Sequence, residues 1–194
     1  AAKLTQMINC KTVWTKNGEN LAECVERVLY LCPKCGKVGT LHSKGNNLKC
    51  DCGYEVEMKA DGFFHDTGKG LHHDNVLDWD MWQRKQWKEK LLSAKDGELI
   101  FSEGGQIVRL VKEDEDEVLS ENATLTLYKD RFEIDLGDKT IVMPVNKVKQ
   151  SSLASKETLF LVDDKMFLDI RSQIPRASTK YIAAWRYLNG KEYY

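Results

Sequence analysis

Four of the six cysteines in the 194-residue sequence fall in two close pairs. Cys32-Pro33-Lys34-Cys35-Gly36 is followed, fourteen residues after Cys35, by Cys50-Asp51-Cys52-Gly53. Thiolates delivered in two tight pairs are a ligand set for a tetrahedral metal ion, and structural zinc sites often use four cysteines. Each pair ends in glycine, which permits the tight turn that aims backbone N–H groups at the sulfurs. The second pair is C-x-C rather than C-x-x-C, a spacing that still supplies two ligands from one turn. Four thiolates leave no open coordination position, so the expected role is structural: Zn2+ held by Cys32, Cys35, Cys50 and Cys52. The competing reading is four unconnected buried or disulfide-bonded cysteines. Pairing, glycines and interval all favour the metal. Cys10 and Cys24 have no near partner in sequence and read as a buried small residue or a surface thiol each. His42 lies inside the interval and is expected on a solvent-facing strand position rather than among the ligands.

The elements that would position these residues follow from local pattern. Residues 32–58 fit three short strands: Val38 to His42, Leu48 into Cys50, and Tyr54 to Met58, which alternates apolar and acidic. Lys44-Gly45-Asn46-Asn47 is the turn between the first two. So small a module cannot bury a sufficient core, so metal binding would supply much of its folding energy. Upstream, Leu21 to Leu29 reads as a short helix with positions 21, 25, 28 and 29 on one face. Downstream, 61–97 reads as a connector ending in a helix that starts near Asp78 or Asp80, with Asp80 and Gln83 resembling a capping box. Trp79, Trp82, Trp87 and Leu91 share one broad face of that helix. Tryptophans covering a core is the favoured reading; a helix lying on a membrane surface, its lysines on phosphates, is the other.

The second half changes character. Short strands are expected at 99–101, 106–112, 123–128, 132–136, 140–143, 147–154, 158–162 and 166–170, separated by turns at Gly104-Gly105, Lys129-Asp130, Gly137-Asp138 and Asp163-Asp164. A helix after Pro175 places Ala177, Tyr181, Ala184, Trp185 and Leu188 on one face. The five acids Glu113 to Glu117 read as a solvated loop. Seven or so strands followed by one amphipathic helix is the order of a PH-like or GRAM-like antiparallel barrel, with the helix plugging the open end and burying Trp185. The expected fold is therefore mainly β with α. Its segments are a lead-in over 1–31, a four-cysteine zinc ribbon over 32–60, a Trp-rich connector over 61–97 and a PH-like barrel with a C-terminal helix over 98–194.

Composition narrows the function classes. Hydrophobic residues at 42% and charged residues at 30% suit a soluble globular chain rather than a disordered one. A net charge of -1 offers no global attraction to nucleic acid or to an anionic membrane. No apolar run approaches the roughly 18 residues of a membrane span. Close cysteine pairs favour metal in a reducing compartment, so a cytoplasmic location is expected, with the inner face of the membrane as an option. The start at Ala1-Ala2 reads as an artificial junction or a cut through a longer protein.

Several stretches resemble a known family. Asn20-Leu21-Ala22-Glu23, Val28 to Gly36, Gly39-Thr40-Leu41 and Leu48 to Gly53 are similar to a segment of bacterial, clostridial-type lysophospholipid acyltransferases. These are 1-acyl-sn-glycerol-3-phosphate acyltransferase-like proteins that carry an extra region after the catalytic domain. Trp79 to Gln83 and the closing stretch Tyr181 to Tyr194 resemble that region too. The resemblance implies a non-catalytic, C-terminal accessory region, with an upstream acyltransferase domain in the same polypeptide as its partner. Its expected jobs are docking, peripheral membrane contact or partner contact in phospholipid synthesis. The family's catalytic H-x4-D motif has a match in His73 and Asp78, and Phe101-Ser102-Glu103-Gly104-Gly105 resembles the first half of its F-P-E-G-T-R motif. The second lacks its proline, threonine and arginine, and no strand–helix alternation scaffolds the first. No catalytic or cofactor-binding residue is therefore assigned. The alternative is a nucleic-acid-binding zinc-ribbon protein. Residues 1–62 carry 9 basic against 7 acidic side chains, and residues 98–194 carry 14 against 17. Neither excess makes a phosphate-tracking stripe, so no nucleic acid is expected.

Overall fold

The structure is a computed structural model that describes residues 18–154 and 158–192. Cys10, the Ala1-Ala2 start and the closing Tyr193-Tyr194 lie outside them. The chain divides into two compact units, Ala1–Lys85 and Gln86–Tyr194.

The first unit is built on a four-stranded antiparallel sheet in the order β1-β2-β3-β4. Its strands are β1 (Leu41–Lys44), β2 (Asn47–Cys50), β3 (Glu55–Met58) and β4 (Phe64–Asp66). Strand alternation turns Leu41, Leu48, Val56, Met58 and Phe64 inward, while the glutamates of β3 stay half-exposed. Lys44 pairs with Asn47, so Gly45 and Asn46 form a two-residue hairpin loop, and Gly45 supplies the positive φ of 61° that such a loop requires. β4 falls in the stretch expected to be a connector. Three residues flanked by glycines carry too little periodicity to read as a strand.

The helix expected over 21–29 is not formed. Asn20 and Cys24 hold φ values of 59° and 62°, outside the helical range, and only a 3-10 turn over Val25–Arg27 remains. Leu21, Ala22, Val25 and Leu29 are nonetheless buried, in one cluster with Cys32, Leu48 and Tyr54. Polar side chains of the β1–β2 hairpin hold this segment down. Asn46 Oδ1 accepts from Leu21 N at 2.9 Å, and Asn46 Nδ2 donates to the Gly18 carbonyl at 2.8 Å. Ser43 Oγ accepts from Cys24 N at 2.8 Å, while Glu23 Oε1 accepts from Gly45 N at 2.6 Å. The segment thus contributes Leu21, Ala22, Val25 and Leu29 to the first unit's core.

α1 runs Val76–Ser93, and the division between the units falls inside it. It starts earlier than expected, because Asn75 caps it. Asn75 Oδ1 accepts from Asp78 N at 2.8 Å, and Asn75 Nδ2 donates to Asp78 Oδ2 at 2.7 Å. Asp80 and Gln83 are therefore not a capping box; Gln83 is fully buried two turns into the helix. Trp79 is buried in the first unit, Trp87 and Leu91 in the second, and Trp82 is half-buried.

The second unit is one seven-stranded antiparallel sheet, in the order β8-β7-β6-β5-β11-β10-β9, curled into a half-barrel. Its strands are β5 (Leu99–Leu110), β6 (Glu117–Tyr128), β7 (Arg131–Asp135), β8 (Thr140–Pro144), β9 (Gln150–Ala154), β10 (Thr158–Val162) and β11 (Phe167–Ser172). The two strands expected at 99–101 and 106–112 are one. Gly104-Gly105 is a bulge rather than a turn: Gly105 has φ 68°, and the register with β6 jumps between Glu103↔Leu125 and Gln106↔Ala123. The acidic run Glu113 to Glu117 is exposed at the β5–β6 connection. α2 (Thr179–Leu188) buries Tyr181, Ala184 and Trp185, and Trp185 Nε1 donates to the Val148 carbonyl at 2.9 Å. No described helix is long and apolar enough to cross a membrane.

Candidate metal centre

The sequence brings the two cysteine pairs together by folding each into a knuckle and pairing the knuckles. In the first, Cys32 N donates to the Lys37 carbonyl at 3.1 Å and Gly36 N to the Cys32 carbonyl at 2.9 Å. In the second, Cys50 N donates to the Tyr54 carbonyl at 2.8 Å and Gly53 N to the Cys50 carbonyl at 2.9 Å. Gly36 and Gly53 close the turns at φ 67° and 86°, where a side chain would be strained. Asp51 N donates to the Thr40 carbonyl at 3.2 Å and ties one knuckle to the strand leaving the other.

The result is one cluster. The Sγ atoms of Cys32, Cys35, Cys50 and Cys52 all lie within 4.8 Å of one another, close enough to share a metal ion. Sγ–Sγ separations are 3.8 Å for Cys32–Cys52 and 3.8 Å for Cys35–Cys50, each joining the two knuckles. Both distances far exceed a disulfide bond, and the cysteines are free thiols. Cys32 and Cys50 are buried, Cys35 is half-buried and Cys52 is exposed. Burial pushes the Cys32 thiol far up from its ordinary value, against the backbone N–H groups of Cys35 and Lys34. Burial raises Cys50 too, opposed by the Cys52 amide and the Thr40 hydroxyl, whose Oγ1 sits 3.2 Å from Cys50 Sγ. Desolvation also works to raise Cys52, but the Tyr54 amide and the neighbouring thiols outweigh it and draw Cys52 down to about 7. Buried thiols that resist ionisation, grouped around one point, are what a dication compensates. Its charge replaces the protons.

The N-terminal half of α1 braces the first knuckle. Trp79 Nε1 donates to the Leu31 carbonyl at 2.9 Å. Gln83 Oε1 accepts from Tyr30 N at 2.9 Å and Leu31 N at 3.3 Å, and its Nε2 donates to the Val28 carbonyl at 2.9 Å and to Asp80 Oδ1 at 2.7 Å. Arg84 pairs with Asp80 at 2.6 Å, fixing that carboxylate in turn. Tyr54, following the second knuckle, packs edge-on against the Trp79 ring at 5.9 Å, and burial pushes its hydroxyl up to about 12. Sequence reasoning missed Trp79, Gln83 and Thr40 as supports of the site. The available signal was Gln83 itself, a polar residue four positions from both Trp79 and Trp87 on the apolar stripe.

The other candidate residues lie elsewhere. His42 is exposed on β1 with Nε2 3.2 Å from Asp51 Oδ1. Cys24 stands half-buried in the lead-in segment. His73 lies against the rings of Trp82 at 5.2 Å and Trp79 at 6.0 Å, while the Asp78 carboxylate is engaged by Asn75. Burial lowers the His73 pKa, with His72 adding to the effect. Glu103, in the second unit, is a buried ion-pair partner of Lys180 at 2.9 Å. Among the described residues, no other group of three or more His, Cys, Asp or Glu side chains converges closely enough to hold a metal. The chain matches no family model and no curated protein.

Proposed function

We propose that the four cysteines hold one structural Zn2+ and that the first unit is a zinc ribbon. The observation that carries this reading is the 3.8 Å Sγ–Sγ separation. A tetrahedron with metal–sulfur bonds of about 2.3 Å has edges of about 3.8 Å. Four sulfurs fill the coordination sphere, so no position is left for substrate or activated water, and the ion's work is to cross-link the knuckles. The reading predicts about one zinc per chain by elemental analysis. Cys32→Ser or Cys50→Ser should lose both metal and solubility. A folded, soluble sample that neither carries zinc nor takes it up would refute it.

For the whole chain we propose a non-catalytic accessory region of a phospholipid-synthesis acyltransferase, in which the second unit is a PH-like module for docking or partner contact. Support comes from the residues around the cysteine pairs that resemble that family, and from the order of seven antiparallel strands followed by one helix. His73 and Asp78, the motif match, are here a ring tilted against two indoles and a carboxylate bonded to the helix-capping Asn75. Flotation with anionic liposomes tests the membrane version of docking; recovery of the chain at the bottom of the gradient would leave contact with protein. Transfer from acyl-CoA by the isolated chain, abolished by His73→Ala, would overturn the non-catalytic assignment.

A further inference from the structure

The metal centre is not evenly protected. Cys32 and Cys50 are buried and Cys35 is half-buried, but Cys52 is exposed, on a tight turn with open space beside Gly53. Its sulfur lies 3.8 Å from that of Cys32, on the opposite knuckle. The remaining pair, Cys35 and Cys50, has the same separation and also spans the knuckles. We propose that Cys52 is the oxidant-sensing thiolate of this site, and that a peroxide converts the zinc cross-link into a Cys32–Cys52 disulfide, releasing the ion. The proposal rests on the zinc reading above.

The chemistry balances with hydrogen peroxide as the two-electron oxidant. The Cys52 thiolate attacks one peroxide oxygen; the O–O bond breaks, a sulfenic acid forms on Cys52 and hydroxide leaves. The Cys32 thiolate then attacks the Cys52 sulfur, the S–S bond forms and the sulfenic oxygen departs as a second hydroxide. Two solvent protons convert the hydroxides to water. Each sulfur has given up one electron, and two zinc–sulfur bonds are gone. Cys35 and Cys50 alone then hold the ion, too few ligands for a closed tetrahedral site, so it dissociates.

Position in the fold decides the consequence. A disulfide between Cys32 and Cys35, or between Cys50 and Cys52, would tie a knuckle to itself and leave the two knuckles unlinked. The Cys32–Cys52 bond spans them, as the metal does. Alongside that bridge, Asp51 N on the Thr40 carbonyl still ties the second knuckle to the first, and Trp79 and Gln83 still hold the segment entering the first knuckle. The oxidised unit should therefore keep its fold, and a dithiol reductant with added zinc should restore it.

The test uses the full zinc-loaded chain. Hydrogen peroxide is added stepwise, zinc release is followed with a chromogenic chelator, and the disulfide is located by mass spectrometry of proteolytic fragments. Release of the bound zinc in step with a Cys32–Cys52 bridge, unchanged protease resistance of the first unit, and reloading after dithiothreitol are expected. In parallel, brief iodoacetamide treatment of the zinc-loaded chain should modify Cys52 ahead of the other three. Zinc retained under peroxide, a bridge within one knuckle, or Cys52 driven to sulfinic acid with no bridge would each overturn the proposal. A chain that never binds zinc would overturn the metal reading itself, an outcome visible before any peroxide is added.

Discussion

Gln83→Met removes a hydrogen-bonding hub while keeping an unbranched side chain of similar length. Gln83 is fully buried and serves three backbone groups of the segment entering the first knuckle: Tyr30 N, Leu31 N and the Val28 carbonyl. Methionine can partner none of them, and Tyr30 and Leu31 are themselves buried. A buried backbone group left without a partner costs about 1–3 kcal/mol. The 3.3 Å bond to Leu31 N is the weakest of the three, and local relaxation will let some water in. The expected loss is therefore about 3–4 kcal/mol, toward the lower end of the summed range. Urea denaturation of the zinc-loaded chain, followed by circular dichroism and by the summed fluorescence of its five tryptophans, reads this. Because these bonds hold the residues immediately before Cys32, chelator competition should also show weaker zinc binding by the variant. A loss below about 1 kcal/mol, or one that leaves zinc affinity untouched, would refute the idea that α1 positions the metal site.

In the second unit, Glu103→Ala strands Lys180, which is 1% exposed and whose ammonium lies 2.9 Å from Glu103 Oε2. Removing one partner of a buried pair typically costs about 3–5 kcal/mol, whereas Glu103→Leu with Lys180→Met should recover most of it; calorimetry of single and double variants checks both. Tyr181 donates to the same carboxylate oxygen at 2.7 Å, and burial, reinforced by Glu103, raises its pKa well above 10.0. A raised folded value means that the unfolded chain loses this proton first, so the stability is intact below pH 10 and falls as pH rises beyond it. Lys180 works oppositely: burial lowers its pKa from 10.5 against the pull of Glu103, so its contribution rises with pH and levels off at 10.5. Above pH 10.5 the tyrosine is left alone of the two, and wild-type stability should fall with rising pH more steeply than that of Tyr181→Phe. Parallel slopes in denaturant titrations above pH 10.5 would contradict the assignment.

Local chemistry was legible where local chemistry decides. The cysteine spacing, the Gly45-Asn46 turn, the alternation of β3 and the Trp185 face of α2 each express constraints within a few residues. Features set by distant partners were not. Fifty-three residues separate Tyr30 from Gln83, so a buried glutamine in a helix reads locally as a cap or a surface residue. Lys180 reads as the solvent side of an amphipathic helix until Glu103 is seen to meet it across 77 positions. Gly104-Gly105 carries the residue types of a turn, and whether two glycines reverse a chain or bulge it depends on the strand beside them. Here β6 runs alongside from Glu117, so the chain has a partner to stay paired with through the irregularity.

The same distinction accounts for the lead-in segment, where helical spacing does not make a helix. Leu21, Val25 and Leu29 have helical spacing, and all three are buried, yet the backbone between them is irregular. Burial needs only that the side chains reach one side, and a 3-10 turn preceded by two positive-φ residues achieves this. The backbone N–H groups at the start of the segment, which even a helix would leave without internal partners, are taken by the hairpin. Leu21 N goes to Asn46, Cys24 N to Ser43 and Ala22 N to the Gly45 carbonyl. All three acceptors sit in or beside the β1–β2 turn, and β2 ends at Cys50. Residues before the first cysteine pair and the hairpin leading to the second therefore fold against each other. Apposing the knuckles is the work of the whole first unit: the chain's own hydrogen bonds draw together the four sulfurs that could hold a metal ion.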